Sequence, residues 1–331
     1  MFRHAPIQGI FFALVLGPVH AAPPASKPAK IEFQFADVET SRALLATEDI
    51  YTNAMSPFDR KVRMSAQQDP GTKNYMKFVA SQAQTWSPEA IEAVNQAIDA
   101  LKDPLASLGI KLNAPVSLIH TTGREEAGAA YTRGNEIILP PQETGTKSNP
   151  PTRLLAHELF HVISRQHPEL RDQLYEMIGF EKANPIQLPA NITHLRITNP
   201  DAPIIEHVMR LKLSPETSVT VAPILIAKTD YQADRKQGLF GYLSFKLMQV
   251  KETPDGWIAE ISDQNPIYHS PQTPDFKRQI GRNTGYIIHP EEILADNFAL
   301  LITDGKITDE WVTDQMRAEI KTYFDDSTKS N

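Results

Sequence analysis

The sequence predicts an α+β fold, and three stretches carry the prediction. From Leu154 to Ile163 the chain reads LLAHELFHVI, apolar except for His157, Glu158 and His161. A segment apolar nearly all round is a buried helix. Ahead of it, Pro115–His120 alternates as a strand, and Ala129–Thr132 and Glu136–Pro140 flank Arg133-Gly134-Asn135 as a hairpin with a Gly/Asn turn. Far downstream, Pro290 and the acidic pair Glu291-Glu292 suit the first turn of a second helix. The expected order is therefore strand, hairpin, loop, apolar helix and, much later, a helix with an acidic start.

Asp37–Ile50 and Glu89–Leu108 show helical spacing, the second opened by Ser87-Pro88-Glu89. Asn53–Gly71 is polar with Pro and Gly and reads as loop plus short helix. After the hairpin, Pro140-Pro141 and the polar run QETGTKSN lead to Pro150-Pro151, with Asn149 or Thr152 as cap of the apolar helix. Pro168–Phe180 continues helical, and Gly179 is placed to end it. Strand-like pieces at Val219–Ala227, Gly241–Val250 and Trp257–Ile261 make 181–285 a mixed, partly β insertion. A closing amphipathic helix covers 308–325. There is no internal repeat.

The first 21 residues have the form of a secretory signal peptide. Arg3 and His4 are followed by the apolar run IFFALVL, and Val19-His20-Ala21 sets small residues at −3 and −1 of a cut before Ala22. The run is too short to span a bilayer. Residues 22–30, rich in Pro, Ala and Lys, read as a flexible leader, and 31–331 as one domain. The chain is thus expected to be exported, periplasmic or secreted. It has no cysteine and a net charge of −7. Disulfides, thiolate metal sites and a nucleic-acid-binding surface are not expected.

The chemistry centres on His157-Glu158-Leu159-Phe160-His161, an H-E-x-x-H motif. On a helix, histidines at i and i+4 share one face and can hold one Zn²⁺ at about 2.0–2.1 Å. Glu158 lies beside that metal, placed to accept a proton from its water. Burying two imidazoles and a carboxylate without partners costs several kcal/mol, which a metal offsets. Among ten histidines in 331 residues the spacing arises by chance in roughly one or two chains in a hundred, so the apolar flanks add weight to the motif. Downstream, Glu292 and Asp296 stand at i and i+4 on one helix face in the pattern E-x-x-x-D, with Ala295 and Ala299 permitting a close approach of helices.

In this layout the chain resembles the gluzincin, thermolysin-like clan of zinc metallopeptidases. The resemblance rests on layout plus short motifs rather than on an alignable whole domain. It implies a zincin-like fold, with a small mixed sheet and hairpin before the H-E-x-x-H helix and a second ligand-bearing helix after it. It implies Zn²⁺ held by His157, His161 and Glu292, and Asp296 bonded to a ligand histidine, His157 first. Glu158 would be the general base in hydrolysis of a peptide or protein substrate. For the oxyanion donor, Tyr286 ranks first, ahead of Tyr268, His269, His289 and His207. The hairpin would offer an edge strand to an extended peptide. A second third-ligand candidate is His167, in H-E-x-x-H-x-x-S-x-x-H, the metzincin spacing with Ser164 in place of Gly. Ten residues along a continuous helix, however, separate His167 from His157 by about 15 Å. A rival reading is a non-catalytic binding or scaffold protein that keeps the fold.

Overall fold

The computed structural model describes residues 31–234 and 237–329. The expected signal peptide and leader lie outside the described residues. The chain opens with β1 (Phe33–Phe35), then α1 (Val38–Leu45), α2 (Ile50–Ala54), α3 (Pro57–Met64), α4 (Thr72–Ser81) and α5 (Pro88–Ser107). The single helix expected over 37–50 is broken because Asp49 starts a new one. Its side chain accepts from the Thr52 amide and the Thr52 hydroxyl takes the Asp49 amide. Ser56 and Asp59 form the same reciprocal cap on α3. Helix α4 has no start signal in the sequence, because it begins at Gly71, at φ +72°, with no side-chain cap. Tyr75, Met76 and Val79 bury its inner face.

The first sheet is completed by β2 (Val116–His120), β3 (Tyr131–Arg133) and β4 (Glu136–Leu139). Its order is β1-β2-β4-β3, with β1, β2 and β4 parallel and β3 antiparallel to β4. The hairpin turns at Gly134, where φ is +58°. Strand β3 is thereby left at the edge. Two turns of 3₁₀ helix aside, a loop then enters α6 (Thr152–Gln166). Neither Asn149 nor Thr152 caps it; Pro151 holds the cap position without a side-chain bond. A break at His167 starts α7 (Pro168–Met177). That helix stops before the expected Phe180, because Gly179 turns at φ +83° and Phe180 already pairs as a strand.

Beyond α7 the chain builds a second, antiparallel sheet. It contains β5 (Phe180–Lys182), β6 (His207–Lys212), β7 (Ser218–Ala227), β8 (Leu243–Thr253) and β9 (Gly256–Ala259), with α8 (Ala190–Thr193) and α9 (Leu239–Tyr242) between them. The small strands β10 (Ile261–Ser262) and β11 (Asn265–Pro266) pair with each other, and β12 (Tyr268–His269) returns to β8. The order is β12-β8-β7-β6-β5, with β9 on β8. The strand expected from Gly241 begins only at Leu243, since α9 takes the first two residues. Helices α10 (Pro274–Ile280), α11 (Pro290–Ile302) and α12 (Glu310–Lys329) complete a mixed α+β protein. Among the described residues no helix is long and apolar enough to cross a membrane.

One apolar cluster runs through the middle. It joins Val94, Ala97 and Leu101 of α5, Leu159 and Phe160 of α6, Phe298 and Ala299 of α11, and Met316 and Ile320 of α12. Helix α6 is surrounded: from Leu155 to Ser164 every residue except His157 is buried. The rings of Phe160 and Phe298 sit 5.6 Å apart, so α6 and α11 pack directly against each other. Ala295 and Ala299 are fully buried in that contact layer. The H-E-x-x-H helix and the acidic helix, far apart in sequence, are neighbours in the fold.

Candidate metal centre

Three elements deliver the site's side chains. Helix α6 presents His157, Glu158 and His161, α11 presents Glu291, Glu292 and Asp296, and the segment Thr198–Asp201 enters from the second sheet's side. The imidazoles of His157 and His161 are 4.9 Å apart, nearly perpendicular at 83°. His157 Nε2 lies 3.1 Å from Glu292 Oε2, and His161 Nε2 lies 3.7 Å from the same oxygen. One donor atom from each of His157, His161 and Glu292 falls within 4.8 Å of the others, so the three can hold a metal ion. Donors at about 2.0–2.1 Å from one tetrahedral ion lie roughly 3.3 Å apart, close to the spacing seen.

The far nitrogens of the rings are also held. His157 Nδ1 is 3.1 Å from Asp296 Oδ1. Asp296 in turn accepts from the Thr284 hydroxyl. His161 Nδ1 is 2.9 Å from Glu291 Oε1. Glu291 is fully buried and also accepts from Ser164 Oγ and the Tyr175 hydroxyl. A carboxylate only accepts, so the His161 ring donates from Nδ1 and turns its Nε2 towards Glu292 and Asp201. In the sequence Glu291 stands only as a first-turn acid, and nothing marks it as a partner of His161. One partial signal exists. Ser164, the residue that spoils the metzincin spacing, is the one whose hydroxyl reaches it.

Two observations bear on whether a cation fits. His161 Nε2 is buried and has no hydrogen-bond partner. It faces Glu292 Oε2 at 3.7 Å and Asp201 Oδ1 at 3.9 Å, too far for hydrogen bonds, and it belongs to both groups of donors close enough to hold a cation, one with His157 and Glu292 and one with Glu158 and Asp201. Next, burial would drive charge off both Glu292 and His157, yet their mutual attraction wins. Glu292 is held down at about 2, against burial, by His161 and His157. Burial works against a proton on His157, but Asp296 and Glu292 keep its pKa well above the ordinary imidazole value. A proton thus stands between His157 and Glu292, where a cation would replace it.

Glu158 is buried, and its Oε2 accepts from Thr132 Oγ1 at 2.7 Å. Burial raises its pKa to about 7, with His157 pulling the other way. A carboxylate poised there exchanges protons readily near neutrality.

Of the oxyanion candidates only Tyr286 is at the site, its ring 6.1 Å from that of His157. Tyr286 is 44 % exposed over the whole residue. Burial around its hydroxyl end and the carboxylates of Glu292 and Asp201 nonetheless keep its phenol protonated, with the pKa well above normal. The others serve elsewhere. His289 Nδ1 accepts from the Glu291 amide and caps α11. His207 packs against Tyr175, ring to ring at 4.5 Å. His269 bonds Gln249, and Tyr268 packs in a separate cluster with Met248. His167 does not approach the metal group; its Nε2 meets the Lys111 carbonyl at 2.7 Å and its ring packs on Phe324.

The fold and the site together define a mixed α+β protein with a candidate His/Glu metal centre. Residues 120–169 match the eCIS core domain, a domain found in some metallopeptidase-like proteins. The matched segment runs from the end of β2 through the hairpin and α6 into α7. It contains His157, Glu158 and His161 but neither Asp201 nor the α11 carboxylates. No curated protein and no solved structure matches the chain.

Proposed function

We propose that this protein is an exported zinc-dependent peptidase of the gluzincin type, with a zincin-like fold. The single observation that carries the reading is the convergence of His157, His161 and Glu292 from two helices, with Glu158 beside them on a hydroxyl tether. A His₂Glu donor set is the one that suits Zn²⁺ in a hydrolytic site. When bound, zinc supplies a Lewis acid that polarises a scissile carbonyl and lowers the pKa of water.

The chain's own groups do the rest. As ligands, His157 and His161 would be held by Asp296 and Glu291, whose bonds at Nδ1 turn Nε2 of each ring towards Glu292. Glu158, oriented by Thr132 Oγ1, takes a proton from the attacking water and returns it to the leaving amine. Tyr286, protonated and with its ring beside that of His157, donates to the developing oxyanion. The dry surroundings of Glu158 strengthen each of these interactions.

The test is metal analysis of purified protein beside peptide hydrolysis with and without chelator. Stoichiometric zinc and chelator-sensitive cleavage are expected. Metal-free protein, or cleavage that survives complete metal removal, rules the reading out.

A further inference from the structure

The space beside the two histidines is filled from within, by the segment Thr198–Asp201. Thr198 is fixed behind it: its amide and hydroxyl bond Asp59 at 3.0 and 2.8 Å, and Arg63 donates to its carbonyl at 3.1 Å. Asn199 Nδ2 donates to Glu292 Oε1. The Asp201 amide is tied to Asn199 Oδ1 at 3.1 Å, and Arg165 donates to the Pro200 and Asp201 carbonyls. The Asp201 side chain, 9 % exposed, thus points at the metal group rather than at solvent.

One oxygen of Asp201 occupies two places a substrate would need. Its Oδ1 lies 3.9 Å from the partnerless His161 Nε2, and Glu158, His161 and Asp201 offer donor atoms within 4.8 Å of one another. The same Oδ1 accepts, at 2.8 Å, the amide of Thr132 in the edge strand β3. An added peptide strand would pair with that amide. A hydrolytic metal site differs from a structural one in keeping a fourth position open. Here a carboxylate stands beside His161 Nε2 and holds the edge amide as well.

We propose that Asp201 is an internal plug of this metal centre: its carboxylate holds the space beside His161 Nε2 and the Thr132 amide, so that turnover is restrained, though not abolished, until Thr198–Asp201 moves aside. This rests on the metallopeptidase reading. Withdrawal frees the coordination position and the Thr132 amide in one movement, so metal access and strand addition switch together. Asp59 and Arg63 hold the segment's root, making it a built stopper rather than a loose loop.

The test uses the whole chain loaded with Co²⁺, azide as probe of an open coordination position, and a visible spectrum as readout. Asp201→Asn keeps an oxygen for the Thr132 amide but loses the anionic donor, and its melting curve checks that it folds. The wild type should show no saturable spectral change with azide, and Asp201→Asn should show one. The variant should also release Co²⁺ to a chelator about tenfold more readily. Azide binding to the wild type as tight as to Asp201→Asn overturns the proposal and leaves the peptidase reading standing. Co²⁺ uptake unchanged in His157→Ala would show that the centre itself is misread, and both would fall.

Discussion

At the residue scale, the site depends on carboxylates that differ in burial and in partners. Glu292 sits between two imidazoles and stays ionised, whereas Glu158, one helix residue from His157, is raised to about 7 by burial. On the proposed reading, that division suits one to the role of ligand and the other to that of proton carrier. Glu158→Gln should keep its metal and lose turnover by roughly 10²–10⁴-fold, the usual weight of a general base. Metal content and initial rates check both halves, and a variant that still turns over normally removes Glu158 from the chemistry. Glu291→Gln leaves the His161 ring without its anionic partner. Metal affinity should drop roughly 10–100-fold, as measured by chelator competition. His167→Ala, by contrast, should bind metal like the wild type, because that ring is committed to Lys111 and Phe324.

At the element scale, the centre exists only while α6 and α11 stay in contact. No backbone pairing joins them; side-chain packing does it, with Phe298 against Phe160 at its middle. Phe298 is fully buried, so Phe298→Ala should cost about 3–5 kcal/mol through lost transfer energy and the cavity left behind. Urea denaturation of the two proteins measures it. A loss under about 1 kcal/mol would mean that the helices collapse onto the gap. The segment that carries Asp201 has a different anchor. Arg63 pairs with Asp59 and Glu126 with all three side chains almost sealed from water. Such a network is expensive to break because each survivor is a buried charge.

At the scale of the whole molecule, acid should act through histidines that the fold keeps neutral. Burial lowers His207 to about 3 and His289 to about 4. Below about pH 6.5 the unfolded chain protonates them and the folded chain does not. The unfolded state then binds more protons, so their contribution to stability falls as pH falls. Glu158 and Asp201, raised to about 7, act in the opposite sense, since the fold binds their protons more tightly. A difference measurement isolates the histidine. Metal-free wild type should lose stability relative to His207→Gln between pH 7.5 and 5. Parallel stability curves over that range would show that His207 is not held neutral.

The sequence alone determined what local spacing can determine. The apolar run around the H-E-x-x-H motif required a buried helix, and Gly134 between two β-rich segments required a hairpin, because both patterns are properties of a few consecutive residues. The pairing of Glu292 and Asp296 on one helix face was legible for the same reason. Tertiary structure alone decided what meets across the chain. It brought α11 onto α6, seated Glu291 behind His161, gave His289 to a helix cap, and turned Asp201 towards the histidines. Asp201 lies in Asn199-Pro200-Asp201, a sequence that by itself says only turn. Its position is set by Asp59, Arg63, Asn199 and Arg165, drawn from distant segments. Local periodicity carries no information about such contacts, since they come into being only when the core closes.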